Sequence, residues 1–280
     1  MTSTDRSAWG FATSTGLAFT HADIVDAHFD ACSSTYLRLL IRVGIRSGWH
    51  VLDAGCGGGR FLPHLAGLVG PTGRVSAVDI APENIALATA RSLDLTTPVD
   101  VRDGDVTALP FPDDSVDAAW CANVTQYLDD HQLRRALAEL RRVVRPGGIV
   151  AIKDLDASTI TARPGPPFLF SDFFRAAAPH SGYARQLLRT RDLYRFLREA
   201  GLTQVRQRTV LSEHHAPFSP AERLYYGQAC ARLAEQAQGA ADWQPYLSPD
   251  HPDNPLNAPD AYICEGSVLA TGRADRKTHV

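Results

Sequence analysis

The feature that most limits how this chain can fold is a regular alternation between short apolar segments and longer segments with helical periodicity. Apolar segments at 51–54, 75–80, 99–103, 116–124 and 149–153 are separated by stretches that contain amphipathic helical patterns. Strands that alternate with helices at this spacing form βαβ units, and right-handed crossovers place helices on both faces of a parallel sheet. The sequence therefore predicts an open α/β fold.

The alternation occupies only the middle of the chain. Residues 1–47 are predicted to form an N-terminal helical cap, residues 48–155 the alternating core, and residues 156–280 insertion and lid segments together with the last strands. The length of 280 residues lies within the range of one large domain or two small ones. We expect a single domain over 1–280.

Composition argues against several classes of partner. The formal net charge is −3, without the basic excess of a nucleic-acid-binding domain, so we expect no nucleic-acid partner. No apolar run approaches about 18 residues, which predicts no membrane partner. The five cysteines lack metal-ligand or redox spacing, which predicts reduced thiols, no metal site and a cytoplasmic location. The oligomeric state is left open, with a homodimer as one candidate.

A glycine-rich loop, DAGCGGG at 53–59, follows the first predicted strand and precedes a predicted helix. Glycines at such a turn allow the backbone to approach a ligand closely. The dinucleotide-binding pattern Gly-x-Gly-x-x-Gly would require a third glycine where Arg60 stands, and the upstream acid Asp53 would repel a pyrophosphate. The loop therefore favours a nucleoside that carries positive charge, with a plain tight turn as the alternative.

The glycine loop and the segments after it, taken together, resemble the motifs of the class I S-adenosylmethionine-dependent methyltransferases. The resemblance covers roughly residues 48–155 and is closest to the small-molecule branch, which includes type 11 methyltransferases and quinone and sterol C-methyltransferases. The matching segments, in chain order, are 51–60, SAVDI at 76–80, GDV at 104–106, LPFPDDSVD at 109–117 and LRRVVRPGG at 140–148.

This resemblance implies a Rossmann-like sheet of seven mostly parallel strands in the order 3-2-1-4-5-7-6, with helices on both faces and a variable cap. It also implies S-adenosyl-L-methionine as the cofactor. Asp53 would lie near the ammonium and sulfonium, Asp79 would accept the ribose hydroxyls, and Asp105 would accept from the adenine amino group. The implied cofactor-binding residues are Asp53, Gly55, Cys56, Gly57, Asp79, Ile80, Asp105, Val106 and Asn123.

Candidates for the site of the methyl acceptor lie outside the resemblance. Aromatic residues favour an apolar acceptor pocket formed by Phe170, Phe174, Tyr225 and Tyr226, although the same residues would suit simple helix packing. Methyl transfer from a sulfonium needs positioning above all, and a base only where the acceptor must lose a proton. The candidate catalytic residues are His214, His215, His28 and Tyr36, with exposed or structural roles as the alternatives.

The predicted activity is methyl transfer to a small-molecule acceptor at nitrogen, oxygen or carbon. We expect an aromatic, alkaloid-like or polyketide-like metabolite of natural-product biosynthesis, with an indole-type acceptor as one specific candidate. A quinone- or sterol-type C-methyltransferase is the alternative within the family. A non-catalytic cofactor-binding scaffold protein is the alternative from another class.

Overall fold

A seven-stranded sheet organises the part of the chain that the computed structural model describes, residues 9–237 and 239–275. The strand order is β3-β2-β1-β4-β5-β7-β6, which confirms the order implied by the sequence motifs. Neighbouring strands from β3 to β5 pair in parallel. The strands are β1 (His50–Ala54), β2 (Arg74–Asp79), β3 (Val99–Asp103), β4 (Val116–Ala122), β5 (Val144–Arg163), β6 (Thr203–His215) and β7 (Tyr262–Arg273).

The helices connect and flank these strands. Two of them begin with a capping box, in which Asp129 and Gln132, or Ser219 and Glu222, exchange hydrogen bonds between side chain and backbone. The α-helices within the described residues are α1 (Ala22–Val43), α2 (Leu62–Val69), α3 (Pro82–Ser92), α4 (Asp130–Val143), α5 (Leu169–Ala177), α6 (Gly182–Arg189), α7 (Leu193–Glu199) and α8 (Pro220–Gln236). None of them is both long and apolar enough to cross a membrane.

The chain divides into two compact units, each with its own core. The larger unit comprises residues 37–154, 189–209 and 268–275. Its core combines strand residues such as Leu52 and Val150 with the buried face of α4, including Leu133 and Leu137. Buried strands between two helical layers are apolar on both faces, and this explains the continuous apolar segments in the sequence.

The smaller unit comprises residues 9–36, 155–188 and 210–267 except 238. Its core is rich in aromatic side chains, among them Trp9, Phe174 and Tyr246. These three ranges are brought together from distant parts of the chain, so no local pattern marks them as one unit. The predicted single domain and the boundaries 1–47, 48–155 and 156–280 remain predictions, and residues 1–8 of the first range lie outside the described residues.

Two strands are longer than the sequence indicates. The predicted strand at 149–153 continues to Arg163, and β6, one of the last strands expected within 156–280, runs from Thr203 to His215. In β6, Ser212 and His214 are buried while Glu213 and His215 are exposed. This alternation is that of a half-buried strand, but polar residues occupy its buried positions and hide it from a hydropathy pattern.

Candidate functional site

The glycine loop after β1 contacts the ends of both neighbouring strands. The backbone N–H groups of Gly55 and Cys56 donate to the carbonyl oxygen of Val78 at 2.9 and 2.8 Å. Gly55 has φ +77°, and a Cβ atom at this position would lie 2.4 Å from Cγ2 of Val124. Only glycine therefore allows the loop to come this close to the residues that follow β4.

Asp79, at the end of β2, ties the glycine loop to the start of α3. Its Oδ2 accepts a hydrogen bond from Gly57 N at 2.8 Å, and its Oδ1 accepts from Ala81 N at 3.0 Å and from Asn84 Nδ2 at 3.1 Å. An ionised carboxylate offers about four lone-pair sites. Asp79 thus organises the loop and keeps acceptor capacity for a further hydroxyl donor.

Asp53 is a buried carboxyl whose charge is not compensated within the described residues. Its side chain is 1% exposed, and Oδ2 has no hydrogen-bond partner there. Burial, reinforced by the negative charge of Asp79, raises the pKa of Asp53 to about 8. Ionised Asp53 therefore calls for a positively charged group from a ligand.

The residues after β3 approach the end of β2. Gly104 N donates to the carbonyl oxygen of Asp79 at 3.1 Å, and Asp105 follows directly. Asp105 is exposed and accepts from Thr107 N at 2.7 Å, whereas Val106 is buried in the core of the larger unit. Ile80 leaves 46% of its surface exposed beside Asp79. Polar acceptors and an apolar surface thus occur together at this edge of the sheet.

Asn123 follows β4 in a left-handed conformation, with φ +59°. Its Oδ1 accepts from the fully buried Nζ of Lys153 at 2.8 Å, and its N–H donates to the carbonyl oxygen of Lys153 at 2.7 Å.

Cys56, in the glycine loop, is also buried, and burial raises the pKa of its thiol. All nine residues implied to bind the cofactor therefore lie in the larger unit, at or just after the carboxyl ends of β1 to β4.

A buried polar network beside Asn123 was missed by the sequence analysis. Asp154 Oδ2 accepts from both the N–H and the hydroxyl of Thr125, and Arg189 Nη2 donates to the carbonyl oxygen of Thr125 at 2.7 Å. Burial raises the pKa of Asp154. The available signal in the sequence was the pair of charged residues Lys153 and Asp154 at the end of an apolar strand segment.

In the smaller unit, the four predicted acceptor-pocket residues line one cavity. Its volume is about 50 Å³, so a molecule larger than a few atoms requires side chains to move. Glu265 is the carboxylate in its lining, and no motif in the sequence marks it as a site residue. The aromatic lining consists of Trp9, Phe19, Phe170, Phe174, Tyr183, Tyr225 and Tyr226.

The candidate catalytic residues separate into a cluster of three and one outlier. His28 Nε2 lies 2.6 Å from Glu265 Oε1 and 3.0 Å from the Tyr36 hydroxyl. His214 Nε2 lies 4.0 Å from Cys32 Sγ, which in turn lies 3.4 Å from Glu265 Oε1. The fourth candidate, His215, is exposed and packs against the ring of Tyr262.

We expect Asp53 to make the stability of the protein depend on pH. Its pKa is higher in the folded protein, about 8, than its ordinary value of 3.8. The contribution of Asp53 to the free energy of unfolding is therefore fully present below about pH 4. It is lost as the pH rises through 8, and the free energy of unfolding falls by at most about 1.4 kcal/mol per pH unit. Urea unfolding from pH 5 to 8 should show this decline in the wild type and a flatter profile in Asp53→Asn. Asp103→Asn, an exposed control, should follow the wild type, and parallel profiles for all three proteins would contradict the assignment.

Residues 51–148 match the family model described as a methyltransferase domain. This matched range is a domain of the class I S-adenosylmethionine-dependent methyltransferases. The family's cofactor is S-adenosylmethionine. The acidic glycine loop, Asp79 at the end of β2 and Asp105 after β3 all lie within the matched range.

Curated relatives support the family assignment over part of the chain. The chain is 40% identical over 117 residues to malonyl-[acyl-carrier protein] O-methyltransferase of Erwinia billingiae (strain Eb661), covering 41% of this chain and 42% of the relative. It is 27% identical over 165 residues to demethylmenaquinone methyltransferase of Staphylococcus aureus (strain JH9), covering 58% and 64% respectively. The matches thus span 42% and 64% of these two relatives.

Solved structures share the fold of this chain. Phosphoethanolamine N-methyltransferase 2 of Haemonchus contortus, in complex with S-adenosyl-L-methionine, has a TM-score of 0.55 at 15% identity and covers 91% of this chain and 58% of that one. A complex of the Haloferax volcanii Trm112 activator with a methyltransferase has a TM-score of 0.53 at 19% identity. The match covers 90% of this chain and 96% of that one.

Proposed function

We propose that this protein transfers the methyl group of S-adenosylmethionine to a small aromatic metabolite. The observation that carries the proposal is the buried, uncompensated carboxyl of Asp53 at the base of a glycine loop that Asp79 holds in place. When bound, S-adenosylmethionine supplies a methyl group already activated by its positively charged sulfur.

The residues of the larger unit fit this cofactor. Asp53 would neutralise a cationic part of it, because its Oδ2 lacks a hydrogen-bond partner within the described residues. Gly55 would leave room for its chain, since a Cβ there already collides with Val124. Asp79 would accept hydrogen bonds from the ribose hydroxyls, and Asp105, Ile80 and Val106 would surround the adenine.

The residues of the smaller unit support an apolar acceptor. Nearly half of the residues that line the cavity are aromatic, and most of the others are apolar, so the cavity suits a flat apolar molecule. Aromatic, alkaloid-like or polyketide-like metabolites of natural-product pathways, including indole-type compounds, have this character. The structure of the labelled product in the experiment below identifies the acceptor atom as nitrogen, oxygen or carbon.

A quinone-type C-methyltransferase is the second candidate. It is favoured by the 27% identity to demethylmenaquinone methyltransferase over 58% of this chain. A quinone precursor is also flat and aromatic, so the cavity supports both candidates, and the mass and structure of the labelled product distinguish them.

The test uses the purified protein, S-adenosylmethionine labelled with tritium in its methyl group, and a metabolite extract of the cell that produces the protein. We expect the label to appear in an organic-soluble product whose mass exceeds that of its precursor by one methylene unit. Phe170→Ala, which removes a buried ring from the cavity, should reduce the transfer about tenfold or more. Phe168→Ala is the matched control, because Phe168 is 68% exposed and does not line the cavity.

Cofactor binding, measured separately by calorimetry with S-adenosylhomocysteine, distinguishes the alternatives. Binding without label transfer would favour a non-catalytic cofactor-binding protein. No binding at all would overturn the proposal.

A further inference from the structure

Three side chains with different metal-ligating atoms converge in the smaller unit. His28 and Cys32 are four residues apart on α1 and so project from the same face of the helix. Glu265, on β7, lies 237 positions from His28 in the sequence, yet its Oε1 lies 2.6 Å from His28 Nε2 and 3.4 Å from Cys32 Sγ. The nitrogen, sulfur and oxygen atoms all lie within 4.8 Å of one another.

These separations are close to those in a tetrahedral zinc site. With Zn–N and Zn–O bonds near 2.0 Å and a Zn–S bond near 2.3 Å, tetrahedral geometry separates nitrogen from oxygen by about 3.3 Å and sulfur from oxygen by about 3.5 Å. The sulfur–oxygen distance already has this value. The nitrogen–oxygen distance has to open by about 0.7 Å, which small rotations of two side chains provide.

His214 is in a suitable position to become a fourth ligand. Its Nδ1 lies 2.7 Å from Glu222 Oε1, and its Nε2 lies 4.0 Å from Cys32 Sγ. Metal-binding histidines usually donate one ring N–H to a carboxylate, which directs the other nitrogen toward the metal. The Glu222–His214 pair has this arrangement, and the capping box at the start of α8 holds Glu222 in place.

Burial and charge favour a divalent cation at this place. The side chains of His28 and Glu265 are 13% and 2% exposed, and Cys32 is 1% exposed. A buried carboxylate and a buried thiolate are each costly unless paired with positive charge. Two anionic ligands and two neutral imidazoles around Zn²⁺ give a site with no net charge. Nitrogen and sulfur ligands also favour zinc over magnesium or calcium.

We propose that His28, Cys32, Glu265 and His214 bind one zinc ion. The inference does not depend on the methyltransferase activity, since all four residues lie in the smaller unit. It gives His28 and His214 the role of ligands in place of the role of bases, because an imidazole nitrogen bonded to a metal cannot accept a proton. Glu265 also lines the aromatic cavity, so the zinc site and the cavity share a wall.

The experiment titrates Zn²⁺ alone into the purified, chelator-treated full chain and measures bound zinc by elemental analysis and by competition with a chromophoric chelator. We expect one zinc ion per chain. Cys32→Ser and Glu265→Gln should each weaken binding on the order of 100-fold, and Glu222→Gln, which acts through His214, by about 10–100-fold. Cys264→Ser is the matched control, because Cys264 is a buried thiol on the same strand whose Sγ contacts the carbonyl oxygen of Thr159.

Cobalt substitution supplies a second readout that does not depend on the stability of a variant altered in the ligand set. Co²⁺ bound to the wild type should show a thiolate-to-cobalt absorption band that persists in Cys264→Ser. A wild type that binds no zinc, or whose cobalt complex lacks the thiolate band, overturns the proposal. Equal zinc loss in Cys32→Ser and Cys264→Ser also overturns it, while unchanged affinity in both His214→Gln and Glu222→Gln removes His214 from the ligand set.

Discussion

Asp79→Ala is expected to weaken the binding of S-adenosylhomocysteine on the order of 100-fold in calorimetric titration. Hydrogen bonds to a charged carboxylate contribute about 1.5–3 kcal/mol each, and about 1.4 kcal/mol corresponds to a factor of ten. The substitution removes the acceptors proposed for the ribose hydroxyls. It also removes the partners of Gly57 N, Ala81 N and Asn84 Nδ2, which position the glycine loop.

Two variants separate the loss of ligand contacts from a general effect of removing charge. Asp103 is the register partner of Asp79 on β3 and is exposed, so Asp103→Ala should leave the affinity within about twofold of the wild type. Asp79→Asn keeps the size of the side chain but lacks one acceptor oxygen, so its affinity should be intermediate. An Asp79→Ala protein that binds as tightly as the wild type would exclude the ribose assignment.

Gly55→Ala is expected to lower the free energy of unfolding by about 2–4 kcal/mol. The backbone at Gly55 is left-handed, with φ +77°, and the added Cβ would lie 2.4 Å from Val124 Cγ2. Backbone strain and overpacking contribute about 1–3 kcal/mol each. Gly57→Ala is the matched comparison, since Gly57 is also left-handed at φ +52° but its added Cβ meets nothing within 4 Å. Its cost should be about 1 kcal/mol.

Urea unfolding of the two variants measures the difference directly. Combining Gly55→Ala with Val124→Ala should recover part of the loss, because the smaller side chain relieves the collision at Cγ2. Equal destabilisation by Gly55→Ala and Gly57→Ala, or the absence of any recovery in the double variant, would show that the contact with Val124 is not the cause.

The sheet of the larger unit was predictable because its signals are local. Each parallel strand is a short apolar segment bounded by a loop, and the sequence places Asp53, Asp79 and Asp105 at or after successive strand ends. Parallel strands align their carboxyl ends, so the order of strands brings such residues to one edge. The glycine at position 55 could be identified as necessary for a close approach, although only the structure identifies Val124 as the residue it approaches.

The long strands β5 and β6 were predicted only in part. The hydropathy pattern ends where polar residues begin to occupy buried positions, as Ser212 and His214 do in β6. Such residues are stabilised by partners from other elements, for example Glu222 beside His214. The hydropathy of the residues along a segment does not show which residue of another element will become the partner of a buried polar side chain.

The amino-acid sequence by itself determined the open α/β fold, the methyltransferase motifs of the core and the loop at which the cofactor is expected, because strand periodicity and glycine conformations depend on neighbouring residues. Only the tertiary structure joined His28 and Cys32 of α1 with Glu265 of β7 and with His214 of β6. That cluster depends on packing between elements that are distant in sequence, and spacing along the chain carries no information about which of these elements become neighbours.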